Sequence, residues 1–372
     1  MISYKEKVKG SLFISSFLET IAFFNGIWEF NYGKTINSVK DGIIMNYFFI
    51  NHFQMLGGIE NLNMSIYKSS DDTILILATL EAVLNGGGEI NYINSYLKYY
   101  PKLKEEIRKS GLGTLNSLEK LRVNRSIKAI EYNSNLGGNG CAIRTGPIGL
   151  LYHDDIDKVC EEALIASLTT HHYPLGYLGG IVSALFTYFA INDINPFLWS
   201  LRLVEMYETK YFHKIIAKYS EVNNKIDDYF IYWKKYNELR LSKMEYRNLP
   251  IFLNPIDKIN DYLQYSSVQY LTKSKGYDRL GGSGLEGPII AYDNFLLSAI
   301  PDNKMKINIK NPIFDWNTFI YNNIFFFGDN DSISAISGFW FGAYNGLDKC
   351  PIDKVEKLEF FSELNNLIKK FK

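Results

Sequence analysis

Cysteine is scarce in this 372-residue sequence: Cys141, Cys160 and Cys350 stand far apart and outside any Cys-x-x-Cys spacing. That excludes a disulfide framework and a cysteine-built zinc site, and a reducing cytoplasm is the compartment it fits. Excess charge of either sign is also missing. Lys+Arg and Asp+Glu are 40 each, so no net field favours nucleic acid or an anionic membrane. No apolar run is expected to reach the roughly 18 residues of a membrane span. Lys5, Lys7 and Lys9 lead into an apolar stretch, but Glu19 interrupts it and no cleavage site is clear, which argues against a signal peptide. No Pro/Ser-rich linker, internal repeat or low-complexity tract divides the chain, and runs with β-alternation are few. Aromatic residues make up 15% and are scattered, as core residues are, rather than interleaved with basic ones for base stacking.

What remains is helical periodicity. Residues 71–85, DDTILILATLEAVLN, are apolar nearly all round and stop at Gly86-Gly87-Gly88, which predicts a buried core helix. Pro174 to Asn192 form a second, with Gly176, Gly180 and Ala184 on one side, and a third runs from about Asp331 to Tyr344. Ser334, Gly338, Gly342 and Gly346 recur every four residues along it. Such bare stripes let a neighbouring helix backbone approach closely. The polar stretch 214–248 reads as a solvated helical excursion of the same unit. One compact, all-α, multi-helix domain over residues 1–372 is the expectation.

Four constellations could carry chemistry. Ser69-Ser70-Asp71-Asp72-Thr73 opens the first core helix and Asp329-Asn330-Asp331-Ser332 opens the third. Helix capping explains either alone. Together, four carboxylates with hydroxyls form an oxygen-rich cluster if the helices are neighbours, and oxygen is what a hard cation such as Mg²⁺ takes. Gly137-Gly138-Asn139-Gly140-Cys141-Ala142-Ile143-Arg144 is a glycine-rich stretch whose N–H groups could approach an anion, or a surface loop; it matches neither the P-loop nor the dinucleotide fingerprint. The adjacent His171-His172 lack the spacing of a helical zinc pair and read as hydrogen-bonded structural histidines. Gly281-Gly282-Ser283-Gly284-Leu285-Glu286-Gly287-Pro288 reads as a flexible loop that closes over a ligand or joins two helices.

In this order the motifs resemble those of the ADP-ribosylglycohydrolases, and most of all the ADP-ribosylarginine hydrolase branch. SDDTILILATLEAVL is similar to its Ser-Asp-Asp-Thr helix, GNGCAIRTGPIGL to its Gly-x-Gly-x-Ala-x-Arg loop, TTHHYPLGYLGGIVSALFTYFA to its histidine-rich helix, GLEGPIIAYDNFL to its Ala-Pro-Met-Ile-Ala-Tyr-Asp segment, and GDNDSISAISG to its Gly-Asp-x-Asp-Ser signature. The likeness runs from NGIWEF at 25–30 through YFIYWKKYNELR at 229–240 to EKLE at 356–359. It implies an all-α domain holding two Mg²⁺ ions on Ser70, Asp71, Asp72, Asp329, Asp331 and Ser332. The implied reaction is removal of ADP-ribose from mono-ADP-ribosylated protein side chains, arginine-linked above all, by a monomer. Asp71 or Asp72 would position the water, Glu29 would gate or assist, and Gly138, Asn139 and Gly140, with Ser283 and Gly284, would hold the ADP-ribose.

Two departures stand out. Where the branch opens with Gly-Asp-Ala-Leu-Gly, this chain has Leu18-Glu19-Thr20-Ile21-Ala22; where it has Ser-Gly-His-Asp, this chain has Ser283-Gly284-Leu285-Glu286. Serine-linked or free ADP-ribosyl groups are the alternative substrates. A non-catalytic ADP-ribose binder is the rival of another class, though such a protein has no need to keep both Asp71-Asp72 and Asp329-x-Asp331.

Overall fold

The structure, a computed structural model, describes residues 2–29, 34, 38–246, 280–302, 306–348 and 350–371. Among these there is no β-strand, only isolated bridges, and the architecture is all-α. Helix α1 (Tyr4–Phe23) begins at a capping box in which Ser3 and Glu6 satisfy each other's backbone N–H groups. It is followed by α2 (Val39–Met55), α3 (Asp71–Leu84), α4 (Gly88–Leu103) and α5 (Leu112–Val123). The short α6 (Gly140–Arg144) and α7 (Gly146–Leu151) lead to α8 (Ile156–Leu168) and α9 (Pro174–Ile191). Then come α10 (Trp199–Glu208), α11 (Tyr211–Ile216), α12 (Asn224–Leu239), α13 (Glu286–Leu296), α14 (Trp316–Ile324), α15 (Asn330–Asn345), α16 (Ile352–Val355) and α17 (Phe361–Ile368).

The three helices expected from periodicity are α3, α9 and α15, and all are core. Helix α9 corrects one expectation: its 18 residues are long and apolar enough to cross a membrane by length and composition, yet 94% of them are buried inside the protein. That is a central core helix, with Trp199 and Trp340 packed against its Phe186. The 214–248 stretch also differs from the expectation of a solvated excursion. Helix α12 buries Ile226, Tyr229, Phe230, Trp233 and Tyr236, because its apolar residues, diluted by lysines, fall on one face. Residues 247 and 248 lie outside those described. The three cysteines are free and buried.

Helices α1 and α15 form the tightest pair. A side chain at Gly342 would overlap the backbone of Gly10, and one at Gly338 would sit 2.7 Å from Cα of Ser15. With the backbones this close, Ser11 Oγ donates to the Phe339 carbonyl and Ser15 Oγ to that of Ala335, both at 2.8 Å. The stripe read from the sequence on α15 thus has a small-residue counterpart on α1, and this seam fixes where the first turn of α15 points.

Candidate functional site

Helices α3 and α15 start at the same place. Ser70 is the N-cap of α3, in extended conformation, and its hydroxyl accepts the N–H of Asp72 at 3.1 Å. Before α15, Gly328 adopts φ 104°, a left-handed conformation any side chain resists, and its missing Cβ would strike the Leu280 carbonyl. The N–H of Asp329 is held by that same carbonyl at 3.0 Å. The two helix starts are joined directly: Ser332 Oγ donates to Asp72 Oδ2 at 3.2 Å.

Glu29, Asp329 and Asp331 offer carboxylate oxygens that all lie within 4.8 Å of one another. Asp72 is buried beside them, and Asp71 is half-buried next to the N-terminus of α5, where the Gly111 N–H reaches its carboxylate. At such separations each pair of charges repels by about 3–4 kcal/mol even at an effective dielectric of ~20. The same crowding, on top of burial, raises the carboxyl groups. Burial first, then the charges of Asp71 and Glu19, push Asp72 well above the usual carboxylate range. Asp331 is raised by burial, then by Glu29 and Asp72, and Glu29 by burial, then by Asp329 and Asp71. Burial also raises Asp329, opposed by hydrogen bonds from Asp331, Ser332 and Asn139. Asp71 is pushed up to about 7, burial outweighing its N–H contacts. Oxygen donors of one charge, buried together, are the chemistry of a hard-cation site. The residue set therefore fits a divalent metal.

Glu29 stands among the ligand-type carboxylates rather than apart from them. The glycine-rich loops differ from expectation more. The 137–140 and 281–284 segments bind each other: Asn139 N–H donates to the Gly282 carbonyl at 3.2 Å and Gly284 N–H to that of Gly137 at 3.0 Å, with Gly138 bridged to Ser283. Those two amides are already bonded within the protein. The Asn139 side chain instead donates to Asp329 Oδ2 and the Gly281 carbonyl, both at 3.0 Å, which places it in the carboxylate cluster. Ser283 Oγ accepts the N–H of Glu286, the first residue of α13, and Gly284 is buried against Leu175, Gly176 and Gly179. The segment is a packed turn, not a flexible loop. Gly138 and Gly140 both face the ring of His171, which burial, then Arg144, lower to about 3, a neutral imidazole bonded to Thr170. His172 bonds the Ile130 carbonyl and Ser220, so both histidines are structural.

Sequence reasoning missed what lies beneath the cluster. The Glu19 carboxylate is fully buried and accepts four hydrogen bonds: from the N–H and hydroxyl of Ser70, from Thr73 Oγ1 and from Thr20 Oγ1. The departure at 18–22 therefore supplies a direct support for the N-cap of α3. A second support comes from Arg108 and Glu359, which hold the backbone of Ser69. An open groove of about 1060 Å³, which none of the clustered acidic residues lines, runs from Leu112 and Gly113 past Asn116 and Asn133 to Asn135 and Leu136.

Comparison with known proteins bears on family and fold. The chain is 31% identical, over 96% of its length and 68% of the relative's, to L444 of Acanthamoeba polyphaga mimivirus, provisionally named an ADP-ribosyl glycohydrolase. It is 29% identical, over 98% of its length and 93% of the relative's, to the ADP-ribosylhydrolase ARH1 of Dictyostelium discoideum. A solved structure named "ADP-ribosylglycohydrolase-related protein complex" covers 100% of the chain and 98% of itself at TM-score 0.57 and 15% identity, a likeness of fold. The profile of the ADP-ribosylglycohydrolases matches residues 26–372. Since that match takes in Glu29 and both acidic helix starts, the chain belongs to the ADP-ribosylglycohydrolase family.

Proposed function

We propose that the protein hydrolyses the N-glycosidic bond between ADP-ribose and an arginine side chain of a mono-ADP-ribosylated protein, with two Mg²⁺ ions as resident cofactors. The observation that carries this is the convergence of two sequence-distant acidic helix starts, linked by the 3.2 Å contact of Ser332 with Asp72. The whole-length resemblance of the motifs to the arginine branch supports arginine over serine as the linkage. Ser70, Asp71, Asp72, Asp329, Asp331 and Ser332 would hold the ions, with Glu29 beside them. When bound, such ions supply positive charge that orients hydroxyls and makes water more acidic.

The chain's own residues do the rest. Asp71 is the most exposed of the four clustered aspartates, and its carboxylate is reached by the N–H of Gly111, next to Leu112 of the groove, which supports it as the group that holds a water at the anomeric carbon and takes its proton. Water oxygen bonds to that carbon as Asp71 takes its proton, the carbon–nitrogen bond breaks, and that proton passes to the departing guanidine nitrogen. Asn139, anchored on Asp329, keeps that carboxylate from turning away. The groove, polar from its asparagines and apolar at Leu112 and Leu136, suits the adenosine end of the substrate.

The test is to incubate the protein with arginine-linked and serine-linked mono-ADP-ribosylated peptides, with Mg²⁺ or with EDTA. Release of ADP-ribose from the arginine peptide, lost in EDTA, is the expected result. Release from the serine peptide alone would reassign the linkage. No release from either peptide, with ADP-ribose still bound by calorimetry, would replace the hydrolase by a binding protein.

A further inference from the structure

The segment just ahead of the α3 aspartates is gripped from outside the cluster. Arg108 lies in a short turn after α4, and Glu359 lies near the C-terminus between α16 and α17, 251 residues away. Their pairing is bidentate, Nη1 to Oε2 at 2.8 Å and Nη2 to Oε1 at 2.9 Å, the geometry in which a guanidinium fork holds a carboxylate best. The same two groups take both backbone atoms of one residue. Arg108 Nη1 donates to the Ser69 carbonyl at 2.8 Å, and Ser69 N–H donates to Glu359 Oε2 at 3.3 Å. Glu105 holds Arg108 Nε at 3.0 Å, and Phe360 lies under the guanidinium. Arg108 is buried, with 5% exposed, so the fork is not free to follow a shifting partner.

We propose that Arg108 and Glu359 are positioning residues that set the divalent-cation affinity of the carboxylate cluster by fixing Ser69. This rests on the metal reading above. Ser69 immediately precedes the N-cap Ser70, which Glu19 secures from the other side, and Asp71 and Asp72 follow in the first turn. Any slippage at Ser69 moves those carboxylates relative to Asp329 and Asp331. A pair that served only to tie down the C-terminal segment would have no need to capture both the N–H and the carbonyl of Ser69. Loss of such an outer support costs about 10–100-fold in metal affinity where it has been tested.

The experiment measures Mg²⁺ and Mn²⁺ binding to the metal-free full-length protein by titration calorimetry. Wild type is compared with Glu359→Gln, Arg108→Lys and Asp193→Asn. The last removes a different ion pair, Lys7 Nζ with Asp193 at 2.6 Å, which ties α1 to the end of α9. Glu359→Gln and Arg108→Lys are expected to weaken binding by about 10–100-fold, with helical circular dichroism unchanged. Asp193→Asn should lower the melting temperature and leave metal binding as in wild type. If Glu359→Gln does not fold, Arg108→Lys gives the same reading, since it keeps the charge and loses the fork. Wild-type affinity in the Glu359 and Arg108 variants, or equal weakening in Asp193→Asn, would overturn the proposal. Failure of the wild type itself to bind either ion would overturn the metal reading and this inference with it.

Discussion

Within α15 the body and the first turn are built on opposite principles. From Gly338 to Gly346 the helix carries no charge and lies backbone to backbone against α1, closed by two serine hydroxyls. About two turns away, Asp331 and Ser332 face Glu29, Asp72 and Asp329 with like charges crowded together. The body maximises contact; the first turn forgoes stability, since buried like charges are unfavourable until something neutralises them. The seam is therefore the rigid part that holds the strained part in place.

The largest effect should come from breaking the seam. Gly342→Val places branched carbons where the Gly10 backbone runs, and two core helices must separate to admit them. Overpacking usually costs about 1–3 kcal/mol, and a clash with backbone belongs at or above the top of that range. Urea unfolding should show a midpoint far below that of wild type, or no soluble protein. A midpoint close to wild type would mean that the helices are not in contact there.

Next is the opposite end of the same helix. Asp331→Asn removes one charge and keeps the shape, so the metal-free protein should be at least as stable as wild type. Turnover of the arginine-linked peptide should nevertheless fall by at least about 100-fold, or ~3 kcal/mol in the barrier. The two measurements together sharpen the comparison: stability lost and chemistry moot at Gly342, chemistry lost and stability kept at Asp331. Undiminished turnover would remove Asp331 from the site.

The features legible in the sequence are those whose signals are local. Ser70 before two aspartates, Pro174 at a helix start, and Gly86-Gly87-Gly88 after Leu84 each mark a boundary within a few residues, and α3, α9 and α15 begin and end within two residues of expectation. The acidic pairs are legible for the same reason. The supports are not, because Glu19 meets Ser70 from 51 residues away and Glu359 meets Arg108 from 251, distances over which one sequence carries no pairing signal. The 281–284 turn misled in another way. Glycine signals freedom in a chain, but at Gly284 the absent side chain instead lets the turn lie against Leu175, Gly176 and Gly179.

The smallest effect tests how much of the seam is packing and how much is hydrogen bonding. Ser15→Ala deletes the bond from Ser15 Oγ to the Ala335 carbonyl. That carbonyl lies inside α15 and keeps its helical N–H partner four residues on, so no buried acceptor is orphaned. The loss should be only the net worth of one neutral hydrogen bond, about 1 kcal/mol, well below that of Gly342→Val. Ser11 makes the equivalent bond to Phe339 one helical turn earlier, and the double variant Ser11→Ala, Ser15→Ala should lose about twice as much. Denaturant midpoints of the two singles and the double decide it. A double-variant loss matching that of Gly342→Val would mean that hydroxyl bonding, rather than glycine contact, holds α1 to α15.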